Sequence, residues 1–146
     1  MKHKIRIHTD GGARGNPGPT AVGVVIDGLP AGKQAFGEYI GETTNNEAEY
    51  RALIIALQKT KELSDGNDID TIECYADSEL MIKQLNGEYK IKDLGLRGFF
   101  LEIARLKNEL SVPISFYHIP REKNAEADAL VNETLDKKVG PKSVWN

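Results

Sequence analysis

Hydrophobic and polar residues alternate with two different periods along this chain of 146 residues. Near its start, isoleucines and polar residues alternate, and this period of two predicts a strand with one buried face. Similar short apolar runs, bounded by glycine, proline, asparagine or aspartate, predict four more strands. The predicted strands cover residues 4–9, 21–26, 34–40, 69–76 and 113–119.

Elsewhere the apolar residues recur every three or four positions, which predicts amphipathic helices. The predicted helices cover residues 45–63, 78–85, 96–110 and 124–137. Thr44 and Glu47 form a capping-box signature for the first helix, and Asn86-Gly87 predicts the end of the second. The element order β-β-β-α-β-α-α-β-α predicts an α/β fold, a mixed sheet that begins with three antiparallel strands and is flanked by helices.

The composition is that of a globular protein with one core. Hydrophobic residues make up 40% of the chain and charged residues 28%, and 146 residues suit a single domain. We expect this domain to span residues 1–139 and a short tail to span 140–146, with Trp145 as a candidate anchor for the tail.

The expected compartment follows from three absences in the sequence. No apolar run approaches the ~20 residues that a membrane helix needs. The N-terminal segment MKHKIRIHTD lacks the apolar core of a signal peptide. The single cysteine, Cys74, has no second cysteine with which to form a disulfide, which is typical of a reducing compartment. We therefore expect a cytoplasmic location and no membrane partner.

The distribution of charge leaves nucleic-acid binding open. The net charge of −3 counts mildly against it, because such proteins usually carry a basic surface. Residues 83–107, however, contain six basic and three acidic residues, which gives this segment a local charge of +3. A solvated face explains this segment as well as a phosphate contact does, so both interpretations stay open.

Four carboxylates lie at the ends of predicted elements. Asp10 closes the first strand before Gly11 and Gly12, which are typical of a turn, and Asp77 closes the fourth strand. Glu49 and Asp128 lie in the first turns of the first and last helices. Each has a structural explanation, because acidic residues favour turns, N-caps and the positive end of a helix dipole.

A helical wheel distinguishes Glu49 from its neighbour Glu47. Glu49 falls inside the apolar stripe of the first helix, whereas Glu47 falls beside the polar residues Arg51 and Gln58. A carboxylate that points into the core is costly unless a cation compensates its charge. Asp128 also falls on the apolar side of its helix, so it is expected to face the body of the protein.

The four acids are candidates for one metal site. If the first and fourth strands are neighbours, Asp10 and Asp77 meet at one edge of the sheet, and the two helices add Glu49 and Asp128. Crowded carboxylates repel one another and take up protons unless cations neutralise them. Carboxylate oxygens suit Mg²⁺, and two such ions about 3.5–4 Å apart suit hydrolysis of a phosphodiester.

Four segments carry a resemblance that covers nearly the whole chain. They are TDGGARGNPGPTAVGVV (9–25), TTNNEAEYRALIIAL (43–57), YADSELMIKQLNG (75–87) and HIPREKNAEADAL (118–130). In this order and spacing they resemble the type 1 ribonuclease H family. The resemblance implies the ribonuclease H-like fold with its five-stranded mixed sheet. It also implies hydrolysis of the RNA strand of RNA/DNA hybrids, leaving 5′-phosphate and 3′-hydroxyl ends.

The same resemblance implies a role for individual residues. The catalytic metal ligands would be Asp10, Glu49, Asp77 and Asp128, holding two Mg²⁺ or Mn²⁺ ions. The substrate contacts would be Gly12, Asn16, Thr44, Asn45 and Asn46, with Thr44 corresponding to a phosphate contact on the DNA strand. We expect an RNA/DNA hybrid as the partner, with double-stranded RNA as an open alternative, and a monomeric protein.

The chain departs from many family members in two places. His118 corresponds to a catalytic histidine of bacterial members, but it ends a strand in the form HIPREKN, which resembles the archaeal-type branch, where this histidine is often dispensable. Proton transfer and a structural role both stay open for it. The basic protrusion of many members is missing, and the shorter segment 87–97 offers Lys90, Lys92 and Arg97 as a weaker handle.

Three alternative functions differ in the sequence features that they require. Nucleotide binding by the segment GGARGNPG fails, because a P-loop needs a Lys-Ser or Lys-Thr pair that is absent here. A catalytically weak module that only binds RNA/DNA hybrids stays open as the main alternative. Another nuclease on the same fold, such as a resolvase or an exonuclease, is disfavoured by the TDGG and NNEAEY segments.

Overall fold

The computed structural model describes residues 2–64 and 69–141. Within these residues the nine predicted strands and helices occur in the predicted order. They are β1 (His3–Ala13), β2 (Gly18–Asp27), β3 (Gln34–Thr43), α1 (Asn45–Ser64), β4 (Ile69–Ala76), α2 (Glu79–Leu85), α3 (Leu94–Leu110), β5 (Ile114–His118) and α4 (Ala125–Val139). A single 3₁₀ turn, Arg121–Lys123, precedes α4. Trp145 and the anchoring role predicted for it lie outside the described residues.

The five strands form one mixed sheet in the order β3-β2-β1-β4-β5. The pairs β1–β2 and β2–β3 are antiparallel, whereas β4 is parallel to both β1 and β5. The main core lies on one face, where α1 and α3 contribute residues such as Leu53 and Ile103 against Ile5 and Ile7 of β1. On the other face, α4 packs over β1, β2 and β3. The predicted fold class is confirmed.

β1 is longer than the sequence pattern indicates, and the prediction that Asp10 closes it is wrong. The strand continues to Ala13 because Gly11 and Gly12, expected to form a turn, pair with Val22 and Ala21 of β2. The parallel ladder with β4 nevertheless ends one residue before Asp10, at the pair Thr9 and Ala76. Asp10 therefore lies within a strand but just beyond the end of the β1–β4 ladder.

Glycines let two helices approach the strands closely, one on each face of the sheet. Gly23 lies opposite Asp10 in the β1–β2 register, so both face α4. A Cβ atom at Gly23 would lie 2.1 Å from the carbonyl oxygen of Ala127 in α4. On the opposite face, a Cβ atom at Gly11 would lie 2.4 Å from the carbonyl group of Ala48 in α1. Only glycine permits these contacts between helix backbone and strand backbone.

The ends of α1 and α2 refine the predicted caps. Thr44 caps α1, since its hydroxyl accepts a hydrogen bond from the Glu47 amide at 3.3 Å. The Glu47 carboxylate, however, accepts a hydrogen bond from the Thr43 hydroxyl. The second bond of the predicted capping box is therefore made with Thr43, one residue before Thr44. Ser78 is the N-cap of α2, with its hydroxyl accepting from the Met81 amide at 3.2 Å. Asp77 therefore does not serve as that cap.

Among the described helices, none combines the length and apolar character required to cross a membrane.

We expect Gly23→Ala to lower the free energy of unfolding by about 1–3 kcal/mol, because the added methyl group would force α4 away from β2. Urea denaturation would measure the change. Gly98→Ala is the matched control, because a Cβ atom there meets nothing within 4 Å and Gly98 lies inside α3. The control should gain about 0.5–1 kcal/mol in stability from the higher helix propensity of alanine. Similar changes in the two variants would contradict the close packing of α4.

Candidate active site

Four carboxylates, one from each of four separate segments, line a single cavity of about 850 Å³. They are Asp10 in β1, Glu49 in α1, Asp77 immediately after β4, and Asp128 in α4. Asp10, Glu49 and Asp77 each place one carboxylate oxygen within 4.8 Å of the others. Asp128 completes the group because its carboxyl group contacts that of Asp10. The structure thus brings together all four acids that the sequence singled out.

Glu49 has the orientation that the helical wheel predicts. Glu49 is only 9% exposed, and its Oε1 atom accepts a hydrogen bond from the backbone amide of Gly11 at 2.9 Å. This bond requires the first turn of α1 to touch the β1 backbone, which the absence of a side chain at Gly11 allows. The carboxylate of Glu47, two residues earlier, instead accepts a hydrogen bond from Thr43, the last residue of β3. The two acids therefore have different surroundings, as predicted.

The crowding of these carboxylates raises their proton affinity. Burial, together with the charges of Asp77 and Asp128, raises the pKa of Asp10 to about 7. Burial and the charges of Asp10 and Asp77 also raise the pKa of Glu49 well above its ordinary value. A divalent cation would replace the bound protons and compensate the repulsion. Because all the converging ligand atoms are carboxylate oxygens, the site fits hard cations such as Mg²⁺ and Mn²⁺.

Two of the predicted substrate contacts, Gly12 and Asn45, line the cavity with the carboxylates. The Oδ1 atom of Asn45 accepts a hydrogen bond from the Ala13 amide at 2.9 Å. The Asn45 amide donates in turn to Oδ1 of Asn16 at 2.9 Å. These bonds tie the β1–β2 connection to the start of α1. A Cβ atom at Gly12 would make only an ordinary contact of 3.5 Å with Val131, so protein packing alone does not require glycine there.

The other predicted contacts lie outside the lining of this cavity. Asn46 is exposed, and Thr44 is half-buried at the N-terminus of α1. His118 is exposed at the end of β5, where it pairs with Ala76, the residue before Asp77. Its role in proton transfer therefore stays a hypothesis. Arg121, from the turn before α4, does line the cavity, and its guanidinium lies 3.7 Å from the Asp128 carboxylate.

The predicted handle is a short connection between α2 and α3. No helix or strand forms between Asn86 and Asp93. Lys90 and Lys92 are exposed there, and Arg97 is exposed in the first turn of α3, so their contact with phosphate groups stays a prediction.

Sequence reasoning missed Arg14, which connects β1 to the end of α4. Its side chain is only 7% exposed, and its guanidinium donates to Asp136 Oδ1 at 2.5 Å and to the Gly140 carbonyl at 2.8 Å. Its Nε atom has no hydrogen-bond partner among the described residues. Because Arg14 lies in a glycine-rich segment, the sequence alone would predict an exposed side chain on a loop. No local pattern reveals it, because Asp136 lies 122 positions away.

Two asparagines of the α4 region were also missed. Asn124, buried at the N-terminus of α4, donates from Nδ2 to the Thr9 carbonyl at 2.8 Å, next to Asp10. Asn132 donates from Nδ2 to the Asp128 carbonyl at 3.1 Å and lies 3.5 Å from the Asp128 carboxylate. Asn124 therefore ties the start of α4 to β1, whereas Asn132 lies against the Asp128 carboxylate within the same helix.

Comparisons with known proteins agree with this geometry. A family model described as reverse transcriptase-like matches residues 8–134. The crystal structure of LC11-RNase H1 in complex with an RNA/DNA hybrid is 48% identical to this chain, with a TM-score of 0.86, and the match covers 92% of this chain and 99% of that one. The chain belongs to the type 1 ribonuclease H family. RNase H1 from the halophilic archaeon Halobacterium salinarum has a TM-score of 0.83 and is 40% identical, covering 92% of this chain and 98% of that one.

Curated relatives in the ribonuclease H family extend beyond the matched region. Ribonuclease HI of Halobacterium salinarum is 41% identical over 91% of this chain, but the match spans 65% of that protein. A bifunctional protein of Mycobacterium tuberculosis is 34% identical over 91% of this chain, and the match spans 36% of its length. The likeness to archaeal-type members is confirmed by the halobacterial structure. Membership in the ribonuclease H family implies a requirement for divalent metal, which the oxygen cluster fits.

We expect Asp10→Asn to stabilise the metal-free protein at alkaline pH. Because the pKa of Asp10 rises from its ordinary value of 3.8 to about 7 on folding, its contribution to stability is present below pH 4 and is lost as the pH rises through 7. In EDTA at pH 8 the variant should unfold with a free energy higher by on the order of 1–3 kcal/mol. The advantage should disappear near pH 4.

Urea denaturation of both proteins from pH 4 to pH 8 would measure this difference. Glu122→Gln, which neutralises an exposed acid in the turn before α4, is the control and should follow the wild type. The same pH dependence in wild type and Asp10→Asn would show that the carboxylates do not repel one another in the folded state.

Proposed function

We propose that this chain is an endoribonuclease that hydrolyses the RNA strand of RNA/DNA hybrids and leaves 5′-phosphate and 3′-hydroxyl ends. One observation carries the proposal: Asp10, Glu49 and Asp77 converge within 4.8 Å, with Asp128 beside them, in the main cavity of the described chain. Support for the substrate comes from LC11-RNase H1, a relative of 48% identity whose structure contains an RNA/DNA hybrid. The protein would act as a monomer.

The four carboxylates would hold two Mg²⁺ or Mn²⁺ ions. When bound, such ions activate the attacking water and stabilise the leaving oxygen of an in-line displacement. The protein contributes the positions of the ligands. The Gly11 amide holds one oxygen of Glu49, and the Asn132 side chain lies against Asp128. These contacts fix the carboxylates before substrate arrives, so little reorganisation is needed during the reaction.

Recognition of the RNA strand would take place next to the carboxylates. Gly12 and Asn45 line the same cavity, and Asn16 and Asn46 lie around the start of α1. Contacts from this group to the ribose 2′-hydroxyl would select RNA over DNA. Hydrogen bonds among Ala13, Asn45 and Asn16 already order this segment in the protein alone. Thr44 would contact a phosphate of the DNA strand, and His118 would take part in proton transfer.

The decisive test is a gel assay on an end-labelled RNA strand annealed to DNA or to RNA, with Mg²⁺, Mn²⁺ or EDTA. We expect internal cuts in the hybrid with either metal and none with EDTA. Asp10→Asn should lose at least roughly 100-fold in cleavage rate, because it removes a charged ligand without changing the shape of the site. A folded wild-type protein that binds the hybrid but cuts it with neither metal would be a binding module. Cutting of the RNA duplex would add double-stranded RNA as a substrate.

Glu47 and Glu49 provide a matched pair two positions apart on α1. Glu49→Gln should lose at least roughly 100-fold in cleavage rate, since Glu49 lies within the carboxylate cluster. Glu47→Gln should keep its activity and lose ~1 kcal/mol or less in stability, because its carboxylate accepts a hydrogen bond from Thr43, just before the helix, and is not part of the carboxylate cluster. The same gel assay with urea denaturation measures both. An active Glu49→Gln beside an inactive Glu47→Gln would reverse the two assignments.

A further inference from the structure

One half of the sheet face on the α4 side carries a row of aromatic rings. α4 packs over β1, β2 and β3, and the other half of this face is formed by β4 and β5. His8 pairs with Tyr75 in the β1–β4 ladder, and Tyr75 pairs with Tyr117 in the β4–β5 ladder. The three side chains therefore stand side by side across three strands.

The rings stack on one another, and Tyr117 forms the more exposed end of the stack. The His8 and Tyr75 rings lie 5.0 Å apart between centroids with an interplanar angle of 18°, and the Tyr75 and Tyr117 rings lie 5.4 Å apart at 26°. Inner ring faces are thus occupied by neighbouring rings. Tyr117 ends the stack on β5, the edge strand, and it is 44% exposed. A further planar group would extend the stack at this position.

This row lies next to the carboxylate cluster. His8 and Tyr75 precede Asp10 and Asp77 by two positions, so each aromatic residue is one pleat away from an acid of the site. With strands about 4.8 Å apart and a rise of about 3.3 Å per residue, the Cα atom of Tyr117 is on the order of 8 Å from that of Asp77. A nucleic-acid strand held at the carboxylates can therefore reach Tyr117 with its next nucleotides.

Two exposed cations lie on the far side of the aromatic row. Lys4 and Arg6 of β1 both contact Glu73 of β4, at 3.1 Å and 3.4 Å. Asp27 of β2 lies opposite Arg6 in the β1–β2 register, so these two cations are balanced by two acids. Lys4 and Arg6 are nevertheless exposed, and such side chains can contact backbone phosphate groups without regard to sequence.

We propose that the outer face of Tyr117 stacks a base from a single-stranded extension of the RNA strand bound at the carboxylates. This inference rests on the proposed function, because it takes the bound strand to be RNA. Aromatic side chains stack on bases of any sequence, and exposed cations such as Lys4 and Arg6 can contact the phosphates of the same strand. The simpler explanation is that the row only stabilises the sheet through contacts between strands. The two explanations differ in the effect of replacing Tyr117.

The test uses Asp10→Asn protein, so that hybrids are bound without being cut, and measures affinity by fluorescence anisotropy. One hybrid is blunt, and the others carry a single-stranded extension on the RNA strand, at its 5′ or its 3′ end, or on the DNA strand. We expect one of the two RNA extensions to bind roughly five- to tenfold more tightly than the blunt hybrid. The DNA-strand extension should give no such gain.

Replacing Tyr117 separates a base contact from a structural role. In the same background, Tyr117→Leu should reduce the ratio of extended to blunt affinity to about one, whereas Tyr117→Phe should keep it, because stacking needs the ring and not the hydroxyl. Tyr89→Leu is the matched control, since Tyr89 is 47% exposed between α2 and α3, and it should keep the ratio. If Tyr117→Leu lowered the affinity for blunt and extended hybrids equally, Tyr117 would act only in sheet stability and the proposal would be overturned. Equal affinities of the Asp10→Asn protein for blunt and extended hybrids would also overturn it.

A second measurement separates this inference from the proposed function. Wild-type protein in EDTA should bind a short single-stranded RNA alone, and Tyr117→Leu should weaken that binding roughly fivefold or more. Binding that depends on Tyr117 in a protein that cuts no hybrid would overturn the proposed function and leave the aromatic contact intact. If the protein cut hybrids but bound extended hybrids and single-stranded RNA equally well with and without Tyr117, the proposed function would stand and the aromatic contact would be overturned.

Discussion

The candidate site depends on how closely two helices approach β1 and β2. Gly11 and Gly23 face opposite sides of the sheet. Because neither has a side chain, the backbone of α1 can approach Gly11 and the backbone of α4 can approach Gly23. The first turn of α1 and the first turns of α4 therefore reach β1 from both sides, at the point where the β1–β4 ladder ends. Glu49 and Asp128 arrive in this way beside Asp10. The two glycines are thus a condition for the carboxylate cluster as well as for the packing of the helices on the sheet.

This arrangement places carboxylates where they are unfavourable without a cation. Burial raises the pKa of both Asp10 and Glu49, since each lies near other acids and away from water. The rest of the fold must therefore hold the cluster together against repulsion. Arg14 does so by joining the end of β1 to the C-terminal end of α4, and Asn124 by joining Thr9 to its start. Stability and metal binding are coupled through the same few residues.

The parts of this fold that local pattern determines could be predicted, and those set by distant contacts could not. The helical wheel placed Glu49 toward the sheet and Glu47 away from it, because a helix repeats its faces within a few residues. Gly11 was misinterpreted as part of a turn, since glycine is favoured both in turns and where a helix touches a strand. Arg14 gave no signal at all, because its role depends on Asp136, 122 positions later.

The carboxylates and the residues that would contact a nucleic acid lie in different parts of the structure. Packing inside the molecule holds the carboxylates, so their positions do not depend on the residues at the surface. Residues that would hold a nucleic acid lie on connections and exposed faces, which tolerate change. Because no helix or strand forms between Asn86 and Asp93, that connection supplies few contacts in comparison with an extended protrusion. If the chain binds a nucleic acid at the carboxylates, its affinity would come from surfaces close to them, where Asn45 and Arg121 line the cavity and Tyr117 lies on β5 nearby. A chain of this kind would bind its substrate mainly along the strand that it cuts.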